Sequence, residues 1–250
     1  MASSGRPHRR RAMRANRAMQ VGMHQASHGV EGRGWIALVI LGTIALLAFI
    51  KIGQDVLVHR STPFDDAVRA WMSVHRTPRV FSLFLWVTRI GSTRIMYAVS
   101  LIASVYLWYR DEWRVAASVL IAPALAIAVY ETVKRLYGRA RPPGFNHITD
   151  SSFSFPSAHA TAATAVCCSL AYVLWREGVF GRLAMIAIGV LVPLLVGVSR
   201  LYLDAHWATD VLGGWSAGLF IAMVSAGVYD RARFRANPNA AAGSGSRPTR

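Results

Sequence analysis

Three short polar motifs interrupt an otherwise apolar chain, and each combines residue types that could cleave a phosphate ester. Motif 1 runs from Lys134 to Pro142 with the spacing K-x6-RP, motif 2 is Pro156-Ser157-Ala158-His159, and motif 3 runs from Ser199 to Asp210 with the spacing SR-x5-H-x3-D. Cleaving a phosphate ester without a metal ion requires a nucleophile, a proton donor for the leaving oxygen, and fixed positive charge around the other oxygens. Together the three motifs supply all of these groups.

The nucleophile predicted from this set is His206. Asp210 lies four residues later, so in a helix its carboxylate shares a face with the imidazole and can orient it. An imidazole held in this way keeps one ring nitrogen protonated and leaves the other for attack on phosphorus, which gives a phosphohistidine intermediate. His159 is then suited to protonate the departing oxygen and afterwards to activate water.

The remaining motif positions supply positive charge and hydrogen-bond donors for the phosphate. The fork of an arginine suits two phosphate oxygens at once, and the start of a helix favours an anion through its free amides and its dipole. The phosphate-binding residues predicted in this way are Lys134, Arg141, Ser157, Ala158 through its backbone amide, and Arg200.

Each of these residues also has a purely structural explanation. A single histidine at a membrane interface is often a polar anchor, and an arginine at the end of a span often reaches the headgroups. Asp204 or Asp210 could cap a helix or pair with Arg200. These explanations do not account for the joint spacing of the three motifs, so catalysis is the favoured interpretation.

Long apolar segments position the motifs. Of the 250 residues, 54% are hydrophobic and 16% are charged, whereas soluble domains are nearer a quarter charged. We therefore predict an all-α, polytopic membrane bundle of six transmembrane helices, each with roughly the 17–25 residues needed to cross a hydrocarbon core. The predicted spans cover about 35–56, 93–109, 113–134, 157–175, 183–203 and 208–228.

The segments outside the spans set the predicted domain organisation and orientation. Residues 1–34 and 231–250 are basic and lack long apolar runs, which predicts two disordered cytoplasmic tails around a six-span domain at 35–230. An even number of spans returns the C-terminus to the side of the basic N-terminal arm. All three motifs then emerge on the extracytoplasmic side, as a shared active site requires.

The net charge of +16 does not indicate nucleic-acid binding in this chain. The basic residues lie mainly in the tails, the short loops and the three motifs, without an interleaved aromatic platform for bases. Contacts with a membrane surface and with phosphate explain them better. The adjacent Cys167 and Cys168 cannot frame a metal site or pair with each other.

A further helix is predicted between the first two spans. Ser61 or Thr62 can cap it, Pro63 suits its first turn, and Asp65 with Asp66 complements the helix dipole. Its apolar and polar residues recur with the helical period, which is typical of a helix at the membrane interface. The apolar run that follows is too short to span, and it either guides lipid toward the site or simply packs.

The three motifs resemble those of the type 2 phosphatidic acid phosphatase family, also called lipid phosphate phosphatases. The match covers residues 134–210 strictly, and the six-span layout extends it to about 35–230. The resemblance implies a membrane enzyme that acts on lipid phosphates or pyrophosphates at a site facing away from the cytoplasm, without a metal or another cofactor. It gives His206 the role of nucleophile, His159 that of acid and Asp210 that of partner, with phosphate bound by Lys134, Arg141, Ser157 and Arg200.

One position departs from the family pattern. The family commonly has glycine between the serine and the histidine of motif 2, where this chain has Ala158. Only the backbone amide of that residue is expected to contact phosphate. A methyl group is therefore tolerated unless the residue needs a positive φ.

Several alternatives remain open at the level of sequence. The same motifs resemble those of vanadium-dependent haloperoxidases, but those enzymes are soluble, whereas this site is attached to six apolar spans. A membrane protein that only binds or carries lipid headgroups is a second alternative. Among substrates, undecaprenyl pyrophosphate is slightly favoured over phosphatidic acid, phosphatidylglycerol phosphate also fits, and the sequence does not give the oligomeric state.

Overall fold

The chain forms a bundle of helices. The computed structural model describes residues 35–110, 112–143, 152–179 and 181–236, and within these ranges the regular structure is helical, without strands. The all-α fold class predicted from the apolar segments is confirmed. The helices are α1 (Trp35–Leu57), α2 (Thr62–Val74), α3 (Pro78–Ile90), α4 (Thr93–Tyr109), α5 (Trp113–Val119), α6 (Ile121–Tyr137), α7 (Ala158–Arg176), α8 (Arg182–Ile186), α9 (Val192–Tyr202) and α10 (Ala208–Ala236).

Most of the predicted membrane spans are continuous helical stretches. Five stretches of the described chain are long and apolar enough to cross a membrane, namely Trp35–Leu57, Trp113–Tyr137, Ala158–Arg176, Leu183–Tyr202 and Ala208–Arg233. The remaining predicted span corresponds to α4, which has only 17 residues. It reaches spanning length together with α3, from which it is bent by 41°. The count of six therefore holds when α3 and α4 form one broken span.

The last helix extends beyond the predicted end of the membrane domain. The second tail was predicted to begin at residue 231, whereas α10 continues to Ala236. Arg233 in this part of α10 donates from Nη2 to Glu177 Oε2 at 2.8 Å. Helix α10 thus continues six residues past the predicted boundary, and Arg233 pairs with the loops beside it. The rest of the two predicted tails, 1–34 and 237–250, lies outside the described residues.

Helix α7 lies at the centre of the bundle and packs closely against α10. Its residues 160–167 are small and all buried. A Cβ added at Gly218 of α10 would lie 2.6 Å from Thr164 Cβ and 2.7 Å from the carbonyl oxygen of Thr161, so only glycine permits this approach. Gly214 is in similarly close contact with α7. Gly214 and Gly218 therefore form a close-packing face of α10.

Helices α2 and α3 cover the end of the bundle that bears the motifs, and we call residues 62–90 the cap. The cap is docked on α9 through Tyr202, whose hydroxyl accepts from the Thr77 amide at 2.7 Å and donates to the His75 carbonyl at 3.1 Å. The rings of Tyr202 and Phe84 also pack, with centroids 4.9 Å apart. The apolar run after the predicted interfacial helix therefore forms α3 and packs against the bundle.

Helix α2 turns a charged side toward the protein and an apolar side outward. Asp65 is 1% exposed, whereas Phe64 and Trp71 are 48% and 57% exposed. Pro63 lies in the first turn as predicted, but the side chain of Ser61 at the N-cap makes no capping hydrogen bond. Of the two predicted caps, Ser61 or Thr62, Ser61 thus holds the N-cap position without a side-chain cap, and Thr62 is already in the helix. Asp65 contacts Arg139 after α6 and Thr209 of α10, beyond the helix-dipole role that its position in the first turn predicts.

Candidate active site

The end of the bundle beneath the cap brings the three motifs together. Motif 1 begins in the last turn of α6, motif 2 leads into α7, and motif 3 connects α9 to α10. Gly138 ends α6 in the left-handed region, with φ of 57°, and its amide donates to the Lys134 carbonyl at 3.0 Å. This turn sends the rest of motif 1 across the bundle toward the start of α10.

His206 and Asp210 form a buried pair. Nδ1 of His206 lies 3.4 Å from Asp210 Oδ2, and the two residues are 4% and 0% exposed. His206 lies just before α10 rather than within it, so a turn, and not a shared helix face, brings its ring beside Asp210. The Trp207 amide donates to Asp210 Oδ2 at 2.9 Å and fixes that turn. A carboxylate beside Nδ1 assigns the proton to that nitrogen and leaves Nε2 basic.

Ser154 completes this pair and was not predicted from the sequence. Its hydroxyl donates to Asp210 Oδ2, and its Oγ lies 3.3 Å from His206 Nδ1. The residue is fully buried. It lies in the irregular segment before motif 2, where neither helical period nor a known spacing marks it.

One predicted phosphate-binding cation lies beside the basic nitrogen of His206, and a second is linked to it through Ser152. Arg141 Nη1 is 3.1 Å from His206 Nε2 and donates to the Ala205 carbonyl at 2.8 Å. Lys134 Nζ donates to Ser152 Oγ at 2.8 Å, and Arg141 Nη2 donates to the same oxygen at 2.9 Å. Ser152, which was not predicted as a site residue, thus links Lys134 to Arg141.

Motif 2 is tied to motif 3 through the backbone. The Ser157 amide donates to the Asp210 carbonyl at 3.0 Å, and Ser157 Oγ accepts from the Ala160 amide at 3.5 Å as the N-cap of α7. Ala158 and His159 follow in the first turn of α7, and both are half-buried. This turn therefore starts directly beside the His206–Asp210 pair.

The alanine in motif 2 meets the condition under which a methyl group is tolerated. Among the described residues with a side chain, only His59 and Asp204 have a positive φ. Ala158 is the first residue of α7 and has helical geometry. The departure from the family's glycine therefore places no strain on the backbone at this position.

The last predicted phosphate-binding residue is held by the cap. Arg200 lies in the last turn of α9 and is 1% exposed. Its Nη1 donates to Thr88 Oγ1 of α3 at 2.9 Å. This contact leaves no local signal in the sequence, because the two residues are 112 positions apart.

A second arginine of motif 1 contacts the buried pair from the other side. Arg139 Nη1 donates to Asp210 Oδ1 at 2.7 Å and to Thr209 Oγ1 at 2.8 Å. Its Nη2 donates to Asp65 Oδ2 at 2.6 Å. In the pattern K-x6-RP, Arg139 is only one of the six unspecified positions between Lys134 and Arg141.

A salt bridge at the edge of the site joins the cap to motif 3. Arg69 of α2 forms a two-pronged contact with Asp204, from Nε to Oδ1 at 2.8 Å and from Nη2 to Oδ2 at 2.9 Å. The hydrogen bond from Asp204 raises the pKa of Arg69, so this guanidinium stays charged. Asp204 therefore pairs with the cap rather than with Arg200, the alternative that the sequence left open.

The donor set of the site suits an anion. Within the described ranges, no group of three or more His, Cys, Asp or Glu side chains could hold a metal ion. Lysine and arginine side chains, a basic imidazole nitrogen and the start of α7 instead converge at one end of the bundle. Such a set can bind the oxygens of a phosphate and offer a nucleophile to its phosphorus.

Comparisons with known proteins agree with this arrangement. A family model described as the PAP2 superfamily matches residues 113–234, which include all three motifs. Phosphatidylglycerophosphatase B of Bacillus subtilis (strain 168) is 30% identical over 195 residues, which cover 76% of this chain and 95% of that protein. An undecaprenyl-diphosphatase of Sulfolobus acidocaldarius is 24% identical over 200 residues, with 76% and 88% covered. The crystal structure of a transmembrane PAP2 type phosphatidylglycerolphosphate phosphatase from Bacillus subtilis superimposes with a TM-score of 0.68 at 25% identity, over 76% of this chain and 96% of that chain.

Proposed function

Because this chain belongs to the PAP2 superfamily and is a membrane phosphatase of lipid phosphates or pyrophosphates, we propose that His206 is its nucleophile and that hydrolysis passes through a phosphohistidine. The observation that carries this proposal is the environment of the imidazole. Nδ1 lies 3.4 Å from Asp210 Oδ2, and Nε2 lies 3.1 Å from Arg141 Nη1. The basic nitrogen therefore faces Arg141, one of the cations that would bind the phosphate.

In the first half-reaction, the lone pair of His206 Nε2 attacks phosphorus. The P–N bond forms as the P–O bond to the lipid breaks, and Asp210 stabilises the positive charge that develops on the imidazole. Lys134 and Arg141 balance the charge on the phosphate oxygens, together with Arg200. His159 gives its proton to the departing oxygen, so the lipid leaves as a neutral alcohol or as a protonated phosphate.

In the second half-reaction, water replaces the imidazole on phosphorus. His159, now neutral, takes a proton from the water as its oxygen attacks. The P–N bond breaks, inorganic phosphate is released, and His206 returns to its neutral form. His159 thus gives one proton to the lipid oxygen and regains one from water, so the reaction requires no co-reactant besides water.

The proposed substrate is a lipid phosphate or pyrophosphate held in the bilayer. The two relatives named above are called a phosphatidylglycerophosphatase and an undecaprenyl-diphosphatase, and each alignment covers 76% of this chain. Undecaprenyl pyrophosphate and phosphatidylglycerol phosphate are therefore the first lipids to test, with phosphatidic acid beside them.

The proposed orientation places both termini in the cytoplasm and the active site on the extracytoplasmic side. Arg233 near the end of α10 pairs with Glu112 at 3.0 Å and with Glu177 at 2.8 Å, so the loops after α4 and α7 lie at that end. Asp210 lies 23 residues earlier, about 35 Å away along a straight helix at 1.5 Å per residue. This length matches a bilayer core of about 30 Å, and the basic tails favour the cytoplasm for the Arg233 end.

Labelling with a membrane-impermeant thiol reagent tests the orientation. Arg60→Cys, in the exposed turn before the cap, should react in intact cells. Val179→Cys, exposed in the loop after α7, should react only after the membrane is opened. The opposite pattern would reverse the proposed topology. The native Cys167 and Cys168 are present in both variants and in the parent, which gives the background.

The activity test is phosphate release by the detergent-purified protein from a panel of lipid phosphates and pyrophosphates. EDTA is present throughout, and release should persist in it. His206→Ala should abolish release, whereas His75→Ala, at an exposed position on the cap, should leave it unchanged. Substantial release by a folded His206→Ala protein would exclude His206 as nucleophile. No release from any lipid by the folded parent would favour a protein that only binds or carries lipid headgroups.

A further inference from the structure

We propose that Asp65 and Arg139 are positioning residues for the His206–Asp210 pair, and that together they hold the catalytic carboxylate from behind. Neither residue belongs to the catalytic positions of the three motifs. The inference rests on the proposed function, because it assigns these residues a part in the step that His206 performs. Its tests below separate its failure from the failure of that function.

Asp65 reaches from the cap into the start of α10. Its Oδ1 accepts from the Thr209 amide at 2.8 Å and lies 3.0 Å from Thr209 Oγ1. Its Oδ2 lies 2.8 Å from the same hydroxyl and accepts from Arg139 Nη2 at 2.6 Å. A carboxylate that is only 1% exposed is costly unless it is paired. These contacts provide the pairing, and they fix the residue directly before Asp210.

Arg139 connects the two buried carboxylates. One arm of its guanidinium donates to Asp65 Oδ2 and the other donates to Asp210 Oδ1 at 2.7 Å. The side chain is 17% exposed and lies over the ring of Trp207, 5.6 Å from its centroid. Because Arg139 occupies Oδ1, the carboxylate of Asp210 turns Oδ2 toward His206. A rigid fork that spans two carboxylates is a role to which lysine is poorly suited.

The charges of this cluster favour the step in which His206 becomes positive. Asp65, Arg139 and Asp210 together carry one net negative charge, behind an imidazole that gains one positive charge when it attacks phosphorus. Replacing Asp65 with asparagine keeps the shape but makes the group neutral as a whole. The transition state, in which the imidazole of His206 becomes positive, is then less stabilised, whereas the substrate complex with a neutral imidazole is little affected. The value of kcat should therefore fall while KM changes little.

A merely structural role for Asp65 would be to dock the cap, and other contacts of the cap make this role testable. Tyr202 docks the cap through the Thr77 amide and the His75 carbonyl, without touching Asp65 or Arg139. Tyr202→Phe therefore loosens the cap while the Asp65–Arg139 contact remains. Asp66, the exposed neighbour of Asp65 on α2, provides a matched charge control as Asp66→Asn.

The experiment measures kcat and KM of the full-length protein in detergent, with the lipid that the parent hydrolyses fastest. Asp65→Asn should lower kcat roughly 10- to 100-fold, by analogy with residues that orient a metal-bound histidine from behind. Asp66→Asn should match the parent, and Tyr202→Phe should lose less kcat than Asp65→Asn. Asp65→Asn at full kcat would overturn the inference, as would an equal kcat loss in Tyr202→Phe.

A double variant tests whether Asp65 acts through Arg139. If it does, Asp65→Asn should cost less kcat in the Arg139→Gln background than in the parent, because only its contacts with Thr209 remain, whereas fully independent losses would multiply and contradict the proposal. Should Asp65→Asn fail to fold, Arg139→Lys replaces it. An ammonium cannot span both carboxylates, so kcat should again fall, and full activity would overturn the inference. A folded but inactive parent would overturn the proposed function itself.

Discussion

A methyl group at Gly214 tests how strictly the packing of α7 against α10 sets the catalytic geometry. Gly214 lies one turn after Asp210, on the same face of α10. The new Cβ would be 2.9 Å from the Ser157 carbonyl oxygen and 2.9 Å from Ala160 Cβ. Neither neighbour is the end of a flexible side chain, so the helices themselves must separate.

The size of the effect follows from these distances. Ordinary contact begins at 3.4 Å, so the added methyl group falls about 0.5 Å short of the space it needs. Overpacking costs about 1–3 kcal/mol, and the helix preference of alanine over glycine offsets about 1 kcal/mol of it. A misplacement of about 1 Å can cost roughly 100-fold in rate. About half that shift between Asp210 and the start of α7 should therefore lower kcat roughly 10-fold.

The assay compares Gly214→Ala with Gly227→Ala, which is the same substitution in the same helix. A Cβ at Gly227 would lie 3.8 Å from the Trp35 ring, an ordinary contact, so this variant should keep the kcat of the parent and unfold at the same or a higher temperature. Gly214→Ala should lose kcat and unfold at a slightly lower temperature. If it instead retains full kcat, the spacing of the two helices does not control the site and this reasoning is refuted.

Two further variants test individual side chains of the site. Ser154→Ala removes the hydroxyl that donates to Asp210, and since a hydrogen bond to a charged group contributes about 1.5–3 kcal/mol, kcat should fall roughly 10- to 100-fold; a rise in KM at constant kcat would contradict a role in orienting Asp210. His159→Ala should slow the first half-reaction, measured as the pre-steady-state release of the leaving group, roughly 100- to 10,000-fold with a lipid alkyl phosphate, but far less with p-nitrophenyl phosphate, whose leaving group needs no proton. Equal losses in this first half-reaction with both substrates would exclude His159 as the acid.

The sequence predicted the spans and the motif residues because both leave local signals. Apolar length fixes a span to within a few residues, and motif 3 contains the His206 and Asp210 positions at a recognisable spacing. The predicted end of the last span was too early because apolar content stops near residue 230, while ion pairs with neighbouring loops continue the helix to Ala236.

The supporting residues of the site could not be predicted in the same way. Asp65 lies in the first turn of a helix, where helix-dipole rules already account for an acidic residue, and its partner Thr209 is 144 positions away. Ser154 lies in an irregular segment that has no period. Arg139 could have been noticed as a second arginine close to Arg141, but only the fold shows that it faces Asp210.

The position of the cap bears on how members of this family diverge. The segment shared with the family model, 113–234, contains every motif residue, whereas Thr88, which holds Arg200, lies before it. Substitutions in the cap therefore alter the support of a motif arginine while all three motifs stay unchanged. Two homologues with identical motifs need not share a turnover rate. Natural selection can adjust this enzyme's rate through substitutions in the cap, which lies outside all three motifs.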